Sequence, residues 1–253
     1  MSNRPIGIFD SGIGGITVLK KLKERLPKEN YIYLGDTINF PYGEKTAEEI
    51  IEFSRNNIKK LLEFNVKLIV IACGTATSQA LEIMKKEFNV PIIGIISPTV
   101  EFVKNMNIEK VGVIATSGTI RSGAWEKSLR KSLPQINVIN KACPLLASIA
   151  EEGRAKTKES LEAVHSYMQI FKENMVDTII LGCTHYPIYD EIIRKEFDHP
   201  ITLINTGDSI ARKIEKFLNE KNMKNNVGSG EYKIILTKDE ADFFERAERM
   251  LKD

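Results

Sequence analysis

Two similar stretches, one in each half of the chain, constrain its fold more than any other feature. Residues 68–77 read LIVIACGTAT, and residues 178–187 read TIILGCTHYP. Each begins with an apolar run as long as a buried parallel strand and continues through a cysteine into polar residues and a helical pattern. The sequence therefore predicts that Cys73 and Cys183 both lie where a strand ends and a helix begins, which is where open α/β sheets bind ligands.

The similarity between the halves extends beyond the cysteines. The pattern KEFxxPI occurs at residues 86–92 and again at residues 195–201, and IGIFDSG at residues 6–12 resembles VGVIATSG at residues 111–118. An internal repeat of this kind predicts two α/β units of similar topology. If the units pack face to face about a pseudo-twofold axis, the two thiols face each other across the cleft between them.

Strand and helix patterns alternate along the chain, which predicts parallel sheets with helices on both faces. Besides the runs before the two cysteines, strands are predicted at residues 6–9, 31–34, 90–96, 111–115, 138–139, 201–204 and 232–236. A capping box at residues 46–49 predicts a helix that runs to about residue 64, and a further helix is predicted at residues 123–133. We expect residues 1–97 and 207–253 to form a first α/β domain that carries Cys73. Residues 98–206 would form the second domain, which carries Cys183.

The composition excludes several classes of function. A net charge of +2 is too small to indicate a nucleic-acid partner or a membrane surface, and no apolar run approaches the roughly 20 residues of a membrane helix. Three widely spaced cysteines do not form a disulfide framework, and the first ten residues lead into a strand instead of resembling a signal peptide. We therefore expect a reduced, cytoplasmic protein.

The paired cysteines indicate a reaction. One cysteine on an apolar strand is usually a core residue, but two at matched strand ends, each followed by polar residues, favour chemistry. A helix N-terminus lowers the pKa of a thiol from about 8.5, and nearby carboxylates oppose that shift. A thiolate and a thiol on opposite sides of a bound carbon acid can remove a proton from one face and deliver one to the other, which inverts the carbon. Cys143 lacks this setting, so we interpret it as a packing or surface residue.

Polar residues fall at the same predicted sheet edges. Asp10 and Ser11 end the first strand, where Asp10 is either an acid or base near Cys73 or a helix cap. The segment Pro41-Tyr42-Gly43 is either only a turn or a source of backbone N–H groups for a carboxylate. Hydroxyl groups that suit an anion lie at predicted helix starts, in Thr75, Thr116, Ser117, Thr119 and Thr184. No dinucleotide-binding or P-loop motif is present.

One histidine and one glutamate are further candidates. His185 lies two residues after Cys183 and could hydrogen-bond either that thiol or a ligand. We interpret His165 and His199 as structural or exposed. Glu151 adjoins a second glutamate at a predicted helix end, and by itself this pattern indicates a solvated surface.

Four motifs, taken in their order along the chain, resemble those of the glutamate racemases of the aspartate/glutamate racemase superfamily. The resemblance spans essentially the whole chain. It rests on Asp10-Ser11-Gly12, Pro41-Tyr42-Gly43, Ala72-Cys73-x-Thr75-Ala76 and Gly182-Cys183-Thr184-His185-Tyr186-Pro187. It implies two flavodoxin-like domains related by a pseudo-twofold axis, an active site in the cleft between them, no cofactor, and a supply of D-glutamate for peptidoglycan synthesis.

The resemblance also implies roles for individual residues. Cys73 and Cys183 would be the two acid/base groups, with Asp10 assisting Cys73, and with His185 and Glu151 assisting Cys183. The implied substrate contacts are Asp10, Ser11, Pro41, Tyr42, Gly43, Gly74, Thr75, Thr119, Thr184 and His185. No metal site is implied, and no lysine has a recognisable setting for a pyridoxal phosphate Schiff base. The implied partner is a small molecule, glutamate, and a homodimer is left open because family members form different dimers.

The chain departs from the family pattern at Leu146-Ala147-Ser148, before Glu151, and, with more bearing on the substrate, at Gly74. The family usually has asparagine after the first cysteine, whereas this chain has Gly74. Glycine keeps the backbone N–H but lacks the amide, and losing a hydrogen bond to a charged ligand group costs about 1.5–3 kcal/mol. Three alternatives therefore stay open: an aspartate or other amino-acid racemase, a low-activity amino-acid-binding regulatory protein, and a hydrolase with one nucleophilic cysteine. The hydrolase leaves the second cysteine motif without a role.

Overall fold

Strands and helices alternate along the chain, and the computed structural model describes residues 2–252. The strands in this range are β1 (Ile6–Asp10), β2 (Tyr31–Gly35), β3 (Leu68–Ile71), β4 (Ile92–Gly94), β5 (Lys110–Ala115), β6 (Asn137–Ala142), β7 (Thr178–Leu181), β8 (Thr202–Asn205) and β9 (Tyr232–Leu236). The α-helices are α1 (Ile16–Arg25), α2 (Ala47–Leu62), α3 (Gly74–Glu87), α4 (Ile96–Lys104), α5 (Ser117–Ser122), α6 (Ala124–Ser132), α7 (Pro144–Glu151), α8 (Lys158–Glu173), α9 (Asp190–Lys195), α10 (Thr206–Glu220) and α11 (Phe243–Lys252). Short 3-10 turns occupy Thr37–Asn39, Tyr42–Glu44 and Tyr186–Tyr189.

The described strands form two sheets in which every pairing is parallel. The order is β4-β3-β1-β2-β9 in the first sheet and β6-β5-β7-β8 in the second. When β1 to β4 are matched with β5 to β8, the second order equals the first four strands read from the opposite edge. The predicted fold class, two parallel-sheet α/β units of similar topology, is therefore confirmed. The domain boundaries near residues 98 and 206 stay a prediction.

Burial explains why the apolar runs form strands. Every residue of β1, β2, β3 and β7 is buried. A parallel strand with helices on both of its faces needs apolar side chains on both sides, so it has a continuous apolar run instead of an alternating one. The last strand, β9, pairs with β2, which brings the C-terminal part of the chain back to the first sheet.

One predicted strand was too long for a local reason, and one predicted helix has a further helix before it. The strand expected at residues 90–96 is limited to Ile92–Gly94 because α4 begins at Ile96. The helix expected at residues 123–133 is confirmed as α6, and a separate helix, α5, precedes it. Gly123 divides α5 from α6 and has a φ of 65°, a left-handed conformation that glycine adopts readily.

The start of α2 was predicted more accurately than its end. The capping box at residues 46–49 is present, with both of its hydrogen bonds. The helix that it begins ends at Leu62, and Asn65, just beyond it, has a φ of 52°.

None of the described helices is long and apolar enough to cross a membrane.

Candidate active site

The two cysteines occupy equivalent places, each following a strand inside its sheet. Cys73 caps the N-terminus of α3, and Cys183 follows β7 through Gly182. Both are nearly fully buried, with 5% and 6% of their surface exposed. Both line one cavity between the two sheets, although they come from different halves of the chain.

Cys183 is accompanied by a buried histidine and a buried glutamate. His185 Nδ1 lies 3.6 Å from Cys183 Sγ, and His185 Nε2 donates to Glu151 Oε2 at 2.5 Å. Both carboxylate oxygens of Glu151 also accept from the N–H of Ile13, at 3.0 and 3.1 Å. Burial lowers the pKa of His185, but its hydrogen bonds to Cys183 and Glu151 outweigh burial and raise that pKa well above the usual value. The interpretation of Glu151 as part of a solvated surface was wrong, since only 8% of it is exposed.

Cys73 lies beside a hydroxyl group and a buried carboxyl group. Its Sγ is 3.9 Å from Ser11 Oγ. Asp10, at the end of β1, accepts from the N–H of Gly12 and from the hydroxyl of Thr184, each at 3.2 Å. Burial raises the pKa of Asp10 to about 6, against the lowering effect of the nearby histidine. Burial, reinforced by the charge of Asp10, also raises the pKa of Cys73, so the lowering expected from the helix N-terminus is outweighed there.

Three threonine hydroxyls meet across the cavity. Thr75 Oγ1 is 2.8 Å from Thr116 Oγ1 and 3.1 Å from Thr119 Oγ1, and the last two are 2.9 Å apart. Thr75 begins α3 from the first half of the chain, whereas Thr116 and Thr119 begin α5 from the second. Hydroxyl groups can rotate to donate, so this cluster can hold an anionic group between the two halves.

The segment Pro41-Tyr42-Gly43 forms another wall of the cavity. The hydroxyl of Tyr42 donates to the carboxylate of Asp36 and accepts from the amide of Asn57, at 3.0 Å in the latter case. Because this hydroxyl already has partners, the segment can offer a ligand its backbone and the ring of Tyr42. The two interpretations of the sequence, a turn and a source of backbone N–H groups for a carboxylate, are both compatible with this geometry, since the segment is a turn that lines the cavity.

Gly74 brings the two halves into direct contact. A Cβ atom at this position would lie 2.3 Å from the carbonyl oxygen of Gly182, closer than real Cβ contacts. The cavity beside this contact measures about 20 Å³, which is room for about one water molecule. The asparagine that the family pattern leads one to expect therefore cannot be accommodated in this arrangement. The cavity also has to enlarge before an amino acid can enter.

The structure brings most of the sequence-predicted residues to this cavity. Besides the cysteines, those that line it are Ser11, Pro41, Tyr42, Gly43, Gly74, Thr75, Thr119, Thr184 and His185. Asp10 and Glu151 lie behind this wall and touch it through hydrogen bonds. Phe40, Ala147 and Gly182 also line it and were not predicted, whereas Thr116 was predicted only as part of a hydroxyl cluster, of which Ser117 lies outside the lining. The internal repeat held a signal for Thr116, because it aligns Thr116 with Ser11.

The remaining candidates lie elsewhere. Cys143 is fully buried in the second half, so the packing interpretation is confirmed and the surface alternative is wrong. His165 and His199 are exposed and pair with Glu196 and Asp177. Across residues 2–252, no group of three or more histidine, cysteine, aspartate or glutamate side chains is arranged to hold a metal ion.

Known proteins resemble this chain over nearly its full length. A glutamate racemase of Bacillus cereus is 41% identical over 224 residues, which cover 88% of this chain and 83% of that protein. The glutamate racemase of Francisella tularensis, solved with D-glutamate, superposes with a TM-score of 0.92 at 36% identity and covers 100% of this chain and 95% of that one. A Bacillus anthracis glutamate racemase isoform has a TM-score of 0.94 at 32% identity, covering 100% and 96%. The family model for Asp/Glu/Hydantoin racemases matches residues 6–214, so this chain belongs to that family.

Proposed function

We propose that this racemase interconverts L- and D-glutamate by two-thiol proton transfer at Cα. The observation that carries the proposal is the pair of buried cysteines, one from each half, that line a single cavity. The names of the relatives support glutamate as the substrate, because the proteins at 36–41% identity described above are glutamate racemases. The reaction is an isomerisation and leaves the composition of the substrate unchanged.

In each direction one sulfur removes a proton and the other supplies one. The thiolate takes the Cα proton, so that an S–H bond forms, the C–H bond breaks and its electron pair stays on the carbon. The opposite thiol then gives its proton to the other face of the carbanion and becomes a thiolate. After one turnover the thiol and thiolate have exchanged places, and the reverse reaction restores them.

The two sulfurs have different charged neighbours. A protonated His185, 3.6 Å from Cys183 Sγ, attracts negative charge at that sulfur. Burial and the charge of Asp10 raise the pKa of Cys73 and favour its protonated form. We infer that Cys73 rests as the thiol. Protonation of the buried Asp10, whose pKa is about 6, would ease the later ionisation of Cys73.

Substrate binding follows from the polar groups of the cavity wall. The hydroxyl cluster of Thr75, Thr116 and Thr119 can donate to one carboxylate of glutamate. The backbone N–H groups at the start of α3, directly after Cys73, face the same cavity and suit an anion as well. The substrate would displace the contact at Gly74, because the present cavity is too small for it.

The cellular role extends this proposal. D-glutamate produced here would supply peptidoglycan synthesis, and the reaction would take place in the cytoplasm. The three cysteines are free thiols, and a two-thiol mechanism requires Cys73 and Cys183 to stay reduced, as the cytoplasm keeps them. A homodimer stays a prediction.

Deuterium incorporation at Cα tests the mechanism. The protein is incubated with L- or D-glutamate in D₂O, and NMR follows both isotope exchange and inversion. Wild type and Cys143→Ala, the matched control in the buried core, should invert either enantiomer with deuterium at Cα. Cys73→Ala and Cys183→Ala should each lose inversion. Inversion retained in either of these two variants would contradict the two-thiol mechanism.

The same assay separates the alternatives that Gly74 leaves open. Aspartate is tested beside glutamate, and faster inversion of aspartate would assign the other racemase activity. Tight glutamate binding without isotope exchange would instead indicate a regulatory binding protein. Gly74 is the residue that motivates both comparisons, because the side chain usual at this place in the family is missing.

A further inference from the structure

The C-terminal helix α11 is connected to the active site through one arginine. Arg246 donates a hydrogen bond from Nη1 to the main-chain carbonyl oxygen of Glu151, the last residue of α7, which lies 95 positions earlier in the chain. The last carbonyl groups of a helix have no partner within it, and the helix dipole favours a cation at that end. Arg246 therefore caps α7.

Glu151, whose carbonyl oxygen accepts from Arg246, also binds His185 of the active site through its carboxylate. The carboxylate of Glu151 accepts from His185 Nε2 at 2.5 Å, and His185 Nδ1 lies 3.6 Å from Cys183 Sγ. A displacement of the end of α7 would move this carboxylate. The imidazole follows the carboxylate, because it is buried and joined to it by a short hydrogen bond.

Arg246 differs from its neighbours on α11. Phe243 and Ala247 are fully buried and anchor the helix on the fold. The side chain of Arg246 is 19% exposed, and its stem passes over Gly153, where a Cβ would lie 3.8 Å from Arg246 Cδ. Arg246 is not among the residues that line the active-site cavity, and its hydrogen bond to the end of α7 connects it to the site.

We propose that Arg246 is a positioning residue that, by capping α7, fixes the Glu151 carboxylate and the His185 imidazole in the orientation that serves Cys183. The inference rests on the proposed two-thiol reaction, in which Cys183 exchanges a proton with one face of the substrate. Because Arg246 lies outside the cavity, its loss should lower kcat and leave KM nearly unchanged. Small misplacements of a reacting group cost about ten- to a hundredfold in rate, which sets the expected size of the loss.

Four variants test the proposal by glutamate racemisation kinetics. Arg246→Met keeps the length of the stem and removes the donor, and it should lower kcat about tenfold or more with KM within about twofold. Arg246→Lys keeps a cationic donor and should restore kcat to within about threefold of wild type. Arg249→Met removes a charge one turn further along the same helix and should behave as wild type. If Arg246→Met does not fold in a thermal melt, Arg246→Gln replaces it, with a lowered kcat expected because an uncharged donor bonds more weakly.

A spectroscopic measurement separates this proposal from the proposed reaction. The chain has three histidines, and His165 and His199 are exposed, so the hydrogen-bonded imidazole proton of His185 is recognisable by NMR of protein with ¹⁵N-labelled histidine. Arg246→Met should shift or broaden this resonance, and Arg246→Lys should retain it. A wild-type resonance and kcat in Arg246→Met, or an equal loss in Arg246→Lys or Arg249→Met, would overturn the proposal. A wild type without racemase activity would overturn the proposed function, and the resonance would still test the positioning.

Discussion

Replacing Gly74 by alanine tests a close contact between the two halves of the chain. The added methyl group would lie 2.3 Å from the carbonyl oxygen of Gly182, and the atom that it meets belongs to the backbone instead of a flexible side chain. A carbon and a carbonyl oxygen normally approach to about 3.3–3.6 Å. The start of α3 and the segment after β7 must therefore separate by about 1 Å.

The expected cost follows from two opposing effects. Overpacking of a well-packed region costs about 1–3 kcal/mol. Alanine in place of glycine in a helix stabilises it by about 0.5–1 kcal/mol, because the unfolded chain loses less entropy. The free energy of unfolding of the ligand-free protein should thus fall by roughly 0–2.5 kcal/mol. We expect glutamate binding to separate the two segments, and the variant should then be at least as stable as wild type in the complex.

Urea unfolding with and without saturating D-glutamate measures both quantities. Gly207→Ala is the matched control: it also lies in the first turn of a helix, and the neighbours of its Cβ, at 3.0–3.1 Å, are side-chain atoms of Asn205 and Lys21 that can move. The control should respond to glutamate as wild type does, whereas Gly74→Ala should gain more stability from it. Equal gains in the two variants would refute the argument that substrate entry separates residue 74 from Gly182.

Three further substitutions test separate parts of the structure by urea unfolding or kinetics. Burial raises the pKa of Asp10 from 3.8 to about 6, so this carboxyl contributes stability below about pH 4 that is lost as the pH rises through 6. Asp10→Asn should therefore raise the free energy of unfolding by about 2–3 kcal/mol at pH 8 and leave it unchanged at pH 4. An equal effect at pH 4 and pH 8 would contradict the predicted direction of the pH dependence. Lys67 and Glu29 form a buried ion pair with an N–O distance of 2.6 Å. Lys67→Met leaves the Glu29 carboxylate without its cation and should lower the free energy of unfolding by about 3–5 kcal/mol. Adding Glu29→Gln to Lys67→Met should restore part of this loss. Thr116→Val should raise KM for glutamate about tenfold and affect kcat less, whereas Ser117→Ala, outside the cavity lining, should leave both unchanged.

The parts of the site that depend on local sequence could be predicted. Cys73 and Cys183 follow apolar runs, and a run that is buried on both faces predicts a strand whatever surrounds it. The end of a parallel strand is a ligand-binding edge in this fold class, so the cysteines, Asp10 and Ser11 followed from position alone. The internal repeat also predicted the second unit and the similar topology of the two sheets.

The parts that depend on contact between the halves could not be predicted from the residues alone. Glu151 has the sequence pattern of an exposed helix end, and its burial results from the N–H of Ile13 and the imidazole of His185, both distant in the chain. The need for glycine at position 74 comes from a carbonyl group of the other unit. The link from Arg246 to Glu151 likewise joins elements whose sequences contain no sign of each other.

Hydrogen bonds between the halves also bear on substrate affinity. Thr184 of the second half donates to Asp10 of the first, Thr75 meets Thr116 across the cavity, and Thr17 donates to the main-chain oxygen of Thr184 at 2.9 Å. Glutamate can enter only a form in which the cavity is larger, and the bonds nearest the cavity stabilise the closed form against it. The measured affinity for substrate is the intrinsic affinity reduced by the fraction of molecules in the open form. A change that weakens the closed form alone, such as Gly74→Ala, should therefore raise the apparent affinity for glutamate, whereas Thr116→Val removes a hydroxyl group that we propose binds the substrate and should lower it.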